Sequence, residues 1–283
     1  MTTLISPQDF TSITTKLRTF FNDLGFLEVH TQNRLSILAA CEDPTTVSTY
    51  DYAGKIWPLP QTGQMWLEYE LLKDPTLKGV YCVSTSYRQE QNPVEGRHDL
   101  IFPMFEFEAP GTFDDLIKME ENLCCHLGFR PCVYPIKRYT EWQEEFDTTE
   151  ELNHEHEKLI SESLAEGQTD GSGVGFITHF PYSTSPFWNM KKEGDYANKC
   201  DVIIGGMETI GSAERSADTV EMREQFHTIS DGEYASLLYE LFGEERVEKE
   251  LEEFLSYDFF PRYGGGIGVT RLISAFENCG VAK

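Results

Sequence analysis

A chain of 283 residues that is 40% hydrophobic and 13% aromatic has enough apolar material to bury a large core, which excludes a disordered or low-complexity polypeptide. Its 23 basic residues against 48 acidic ones leave a formal charge of −25, a field that repels phosphate backbones and disfavours nonspecific nucleic-acid binding. No apolar run approaches the roughly 18 residues of a spanning helix, and the first residues lack the basic-then-apolar pattern of a signal peptide, so a cytoplasmic location is expected.

Residues Pro7 to Leu24 carry Phe10, Ile13, Leu17, Phe20, Phe21 and Leu24 at helical spacing, and Gly25 supplies a natural stop. The alternation in Phe26 to His30 predicts a half-buried strand. Val80 to Tyr87 and Phe102 to Glu108 predict two more strands, joined by a polar loop into a long antiparallel hairpin. Asp114 to Leu127 has helical character, and Thr148 to Ala165 is polar and helix-prone. Glu166 to Gly175 reads as a loop, and Phe176 to Phe180 and Val202 to Ile204 as buried strands. Glu233 to Leu255 predicts one charged amphipathic helix. Tyr263 to Gly268 predicts a tight glycine-rich element leading into a helix from about Thr270. Hairpin-paired strands with helices to one side indicate an α+β fold on an antiparallel sheet. With no internal repeat and no long linker, residues 1–283 read as a single domain.

The seven cysteines are odd in number, scattered and without a CxxC pair. That pattern predicts reduced thiols used as core filler. Cys124, Cys125 and His126 lie together on a helical stretch without a second ligand pair, so they read as structural residues and not as a metal cluster.

Chemistry concentrates in two segments. In the hairpin, Arg88 is followed by Glu90, an acid able to fix its rotamer, and the rigid guanidinium fork suits an α-phosphate. Such a donor also stabilises charge developing on that phosphate in a transition state. Arg97 and His98 stand in the loop, placed to close over distal phosphates, and Phe102 offers a face for a purine. In the second segment, Gly264 to Gly268 lets backbone approach a ligand, and Arg271 follows on the first helical turn. No βαβ unit surrounds these glycines, so a dinucleotide fingerprint does not explain them.

These segments resemble the class II aminoacyl-tRNA synthetases of the aspartate, asparagine and lysine subgroup. Tyr87-Arg88-Gln89-Glu90, then Arg97-His98 and Phe102, is similar to their motif 2, and Gly266 to Leu272 to their motif 3. Thr62 to Glu68 is similar to a segment of the asparagine enzymes, and the spacing of Asp201, Glu208 and Arg215 matches the subgroup's metal and side-chain stretch. The resemblance implies a catalytic-domain fold that binds ATP and Mg2+ and activates a small amino acid as its adenylate. It implies Arg88 and Arg271 as catalytic residues, and Glu90, Arg97, His98, Phe102, Gly266 and Gly268 as further ATP contacts. It also implies Asp201 and Glu208 as metal ligands, and Glu42, Gln64, Glu68 and Arg215 as contacts to the amino acid, Glu42 at its α-ammonium.

An arginine facing the substrate side chain selects an oxygen acceptor, hence aspartate or asparagine over lysine. Met65-Trp66-Leu67-Glu68 stands where aspartate enzymes of the family carry a lysine, and a glutamate there favours an amide over a carboxylate. The sequence departs from the pattern at Gln32, where motif 1 ends in proline at the implied homodimer interface, at Thr270, where motif 3 has an acid, and at Ile101. The motif 2 loop is also one residue longer. The chain begins almost at the catalytic domain, with no room for an anticodon-reading barrel; with the negative charge, this leads us to expect that tRNA is not the acceptor. The glycine run followed by Thr270 is similar to ammonia-dependent asparagine synthetases, so ammonia is the expected nucleophile. Transfer to a tRNA or protein acceptor, and a noncatalytic sensor, are the alternatives.

Overall fold

Ser6 opens the first helix, α1 (Pro7–Asp23), its hydroxyl accepting from Asp9 N at 3.0 Å ahead of Pro7, a residue whose fixed φ suits the first helical position. This computed structural model describes residues 4–31, 36–38, 46–90, 93, 99–130, 132–167, 173–184 and 186–283. Glu42, Arg97, His98 and Gln32 lie outside the described residues.

After α1 come β1 (Leu27–Glu28), the hairpin β2 (Ser48–Tyr52) and β3 (Lys55–Leu59), α2 (Gln64–Lys73), β4 (Val80–Tyr87) and β5 (Ile101–Pro110). Next follow α3 (Phe113–Leu127), β6 (Ile136–Arg138), α4 (Tyr139–Glu145), α5 (His154–Gly167) and β7 (Gly175–Pro181). The last third holds β8 (Lys192–Glu193), β9 (Tyr196–Ile204), β10 (Met207–Arg215), α6 (Thr219–Thr228), α7 (Glu233–Phe242), α8 (Glu244–Leu255), β11 (Arg262–Gly268) and α9 (Val269–Asn278).

Among the described residues one sheet runs in the order β1, β4, β5, β11, β10, β9, β7, β6, with β8 paired to β9. Its pairings are antiparallel except at its two ends, β1 with β4 and β6 with β7. The fold is therefore α+β on a mostly antiparallel sheet, as the strand pattern predicts, but helices cover both of its faces and not one side alone. Because side chains alternate across a pleat, one face presents Phe105, Phe107, Tyr263, Ile267, Val202 and Ile210, which pack with Ile13 and Leu17 of α1, Leu116 and Leu123 of α3, and Leu272 and Phe276 of α9. The opposite face presents Glu106, Glu108, Gly264, Gly266, Gly211 and Arg215. A second core of α2, α6, α7 and α8, with Trp188 and Ala213, closes over one end of it.

Three more expectations are corrected. Glu233 to Leu255 is not one helix: Gly243, at φ 88°, breaks it into α7 and α8. The tight glycine-rich element is in fact extended, forming β11, a buried central strand whose glycines leave room for the facing side chains. A Cβ on Gly264 would lie 2.0 Å from the carboxyl carbon of Glu108. The cysteines are not all reduced: Cys125 and Cys132 form a disulfide, brought to a Cα separation of 4.9 Å because Gly128 ends α3 at φ 102° and the chain doubles back. Cys82, Cys124 and Cys200 are buried free thiols, as the core-filler reading has them.

Candidate active site

The polar face of the sheet is organised in two rows. Glu106, Gly266, Gly211 and Asp201 are successive cross-strand partners on β5, β11, β10 and β9, and Glu108, Gly264, Ala213 and Lys199 form the neighbouring row. Small residues at the centre of each row keep the floor low, between two carboxylates in the first row and between a carboxylate and a lysine in the second. Above it lies a cavity of about 270 Å³.

Glu106 fixes one wall. Fully buried, it accepts from Gly63 N at 2.8 and 2.9 Å and from the hydroxyls of Thr62 and Ser84. These bonds anchor the first turn of α2, whose Gln64 and Glu68, four residues apart, fall on one helix face toward the cavity. Burial raises the Glu106 carboxyl above its usual range, against the hydroxyl and amide donors and the nearby Arg88.

At the deep end, Arg215 donates to Gln64 Oε1 at 2.8 Å and from Nε to Glu108 Oε1 at 2.8 Å. Burial lifts Glu108 to about 8, with Glu68 adding to the rise and Arg215 and Arg262 opposing it. Glu68 is itself fully buried and held by Arg262, whose Nε donates at 2.9 Å and whose Nη2 also bonds the same oxygen, while Asn189 Nδ2 donates to the other oxygen at 2.6 Å. The carboxylate expected beside the substrate is thus already matched by a buried guanidinium.

At the wide end, the Arg88 guanidinium lies 5.5 Å from the centre of the Phe102 ring. Arg271 donates from Nη1 to the Glu208 carbonyl at 2.9 Å and lies 3.4 Å from its carboxylate. A register shift between Glu208 and Ile210 turns both Glu208 and Thr209 into the cavity wall. Strict alternation would have sent Glu208 to the apolar face with Ile210. Burial pushes the Glu208 carboxyl up, but Arg271, Lys199 and Arg88 outweigh it, leaving it below the usual carboxylate range.

Of the residues expected from sequence, Gln64, Glu68, Arg88, Glu90 and Phe102 line this one cavity. Glu208, Arg215, Gly266, Gly268 and Arg271 line it too. Asp201 stands one step behind, 3.5 Å from Lys199 Nζ. A Cβ built on Gly211 would lie 2.7 Å from a Glu208 carboxylate oxygen and 3.7 Å from one of Asp201, so both acids approach a single point. Sequence reasoning missed Glu106, Glu108, Asn189, Lys199 and Arg262. The two glutamates left a signal, acids at alternate positions of an otherwise apolar strand; the others left none.

The sheet, its glycine floor and the charged cavity define a class II synthetase-type catalytic domain. The family model for class II tRNA synthetases (D, K and N) matches residues 8–279, and the chain belongs to that family. The cytoplasmic asparagine–tRNA ligase of Mus musculus is 28% identical over 244 residues, spanning 76% of this chain and 43% of its own length. The asparagine–tRNA ligase of Desulforamulus reducens is 25% identical over 296 residues, spanning 91% of this chain and 62% of its own. This chain thus spans less than two thirds of these relatives. Among solved structures, asparaginyl-tRNA synthetase from Pyrococcus horikoshii, complexed with asparaginyl-adenylate, superposes with a TM-score of 0.74 at 20% identity, over 95% of this chain and 64% of that one. Aspartyl-tRNA synthetase from Entamoeba histolytica gives 0.71 at 17% identity, over 97% and 55%. No described helix is long and apolar enough to cross a membrane.

Proposed function

We propose that the chain binds ATP with Mg2+ and joins it to the carboxylate of asparagine or aspartate, releasing pyrophosphate and forming an aminoacyl adenylate. The observation that carries this reading is the meeting of Arg88, Phe102, Glu208 and Arg271 with Gln64 and Arg215 on one cavity. In that role Arg88 holds the α-phosphate and the attacking carboxylate in line, Phe102 and Arg271 flank the adenine, and Gly266 and Gly268 give the nucleotide close access to backbone. Arg97 and His98 are proposed for the distal phosphates. Arg215, with Gln64 and Glu68 around it, takes the side chain, and Glu42 the α-ammonium.

Mg2+ binds through one or two carboxylates and completes its shell with phosphate oxygens and water. Glu208, kept ionised by its neighbours, and Asp201 offer such an all-oxygen set over Gly211. When bound, the ion offsets the negative charge of the triphosphate. The protein's own part is alignment and charge: guanidinium groups hold the phosphates, and the walls shield the adenylate from water.

For the acceptor we propose ammonia or another non-tRNA nucleophile, supported by the charge of −25 and by the glycine run followed by Thr270. Transfer to tRNA is the second reading, favoured by the likeness to asparagine–tRNA ligases. A cytoplasmic homodimer completes the proposal. The experiment is ATP–pyrophosphate exchange across the twenty amino acids, followed by AMP release with ammonium or tRNA added. Exchange restricted to asparagine or aspartate supports activation, and ammonium-dependent AMP release supports the first acceptor. Exchange with no amino acid would sink the activation reading.

A further inference from the structure

Asn189 lies in the cavity wall beside Arg215 and is fully buried. Its Nδ2 donates to Glu68 Oε1 at 2.6 Å and lies 3.4 Å from the Met65 sulfur. A carboxylate only accepts, so this contact fixes the amide's orientation and leaves Oδ1 on the other side. That oxygen is buried and has no hydrogen-bond partner among the described residues. A buried acceptor without a donor is costly to fold and needs a reason.

The backbone here is pinned to the strand that carries Arg215. Ser216 N donates to Asn189 O at 2.8 Å, Lys191 N donates to Glu214 O at 2.8 Å, and Met190 bridges to Arg215. Asn189 and Arg215, both in the wall of the same cavity, are therefore carried on one rigid backbone frame. A primary amide has the complementary pair, a carbonyl oxygen for Arg215 and an N–H for Asn189. A carboxylate presents a second acceptor to Oδ1 instead.

We infer that Asn189 is a specificity residue, its Oδ1 accepting from the side-chain amide of asparagine and rejecting the carboxylate of aspartate. The inference rests on the proposal that this cavity holds one of those two amino acids, and it names the amide form as the better ligand, whether substrate or product. A buried acceptor left facing another acceptor shifts such a preference by on the order of tenfold.

The test is calorimetric titration of asparagine and of aspartate into the protein saturated with α,β-methylene ATP. The wild type is expected to bind asparagine at least about tenfold more tightly. Asn189→Leu, alike in branching though larger and without the acceptor, is expected to bring the ratio near one while affinity for the ATP analogue is unchanged, an outcome that a purely structural role does not produce. Asn189→Ala is read the same way should the leucine variant fail to bind the analogue. Aspartate bound as tightly as asparagine by the wild type, or an unchanged ratio in the variants, overturns the inference. Selective asparagine binding without pyrophosphate exchange for any amino acid removes the activation proposal and leaves this one standing.

Discussion

Arg271 and Glu208 hold each other across the wide end of the cavity, the arginine bonding both the backbone carbonyl at 2.9 Å and, more loosely at 3.4 Å, the carboxylate. The pair joins the first turn of α9 to the bulged start of β10, and the arginine helps hold the Glu208 carboxyl below its usual range where ATP is proposed to bind. Arg271→Ala is expected to weaken ATP binding by about tenfold or more, the scale of losing a charge-assisted contact. Loss of Arg271 also raises the Glu208 carboxyl, so the variant's Mg2+ dependence moves to higher pH. Titration of ATP at several pH values measures both effects.

Glu106 accepts from three N–H and O–H donors while wholly buried, and two of them, Thr62 and Gly63, set the start of α2. Glu106→Ala leaves Gly63 N and two hydroxyls without a partner and is expected to cost about 3 kcal/mol of stability. Glu106→Gln keeps the volume but replaces one acceptor by a donor facing Gly63 or a hydroxyl. It is expected to cost about 1–2 kcal/mol. Urea unfolding with unchanged slope would register both losses.

Glu120 of α3 is buried on the apolar face near Ser212, Cys200 and Cys124, and burial lifts its carboxyl to about 8. The folded protein thus binds this proton more tightly than the unfolded chain does. Stability from Glu120 is complete below about pH 4 and declines as pH rises through about 8. Glu120→Gln, which stays neutral, is expected to gain stability over wild type on the order of 1–3 kcal/mol at pH 8 and little at pH 4.5. Melting curves across that range would show the two proteins diverging upward; parallel curves would contradict it.

Gly264 sits in the floor beneath the Glu108 and Arg215 pair. Gly264→Ala drives a methyl group into the Glu108 carboxyl, and that acid is held by Arg215 and cannot swing aside. The expected outcome is a loss of about 2 kcal/mol in stability and a larger fractional loss of amino-acid binding than of ATP binding. Parallel titrations of the two ligands separate the effects.

The elements that packing alone dictates were legible in the sequence. The apolar spacing of Phe10 to Leu24 marks α1, and the alternation of β4 and β5 marks the hairpin that bears Arg88 and Phe102. What could not be read depends on partners distant along the chain. Glu68 meets Arg262 across 194 residues, and only the pairing of β5 with β11 and the anchoring of α2 on β5 bring them together. Strand β10 carries acids and an arginine where alternation is spoiled by its bulge, so neither its extent nor the direction of Glu208 follows from pattern. Asn189 sits in an irregular turn whose position is set by bonds to β10, and nothing local marks it.

The central claim is that one cavity accepts nucleotide and amino acid joined through the α-phosphate. Its most direct measurement is the affinity of a non-hydrolysable asparaginyl-sulfamoyl adenosine. Such a mimic joins both halves of the proposed intermediate, so it should bind at least about a hundredfold more tightly than ATP or asparagine alone, and Arg88→Ala should abolish most of that gain. A folded wild-type protein that binds the mimic no better than adenosine would contradict the account.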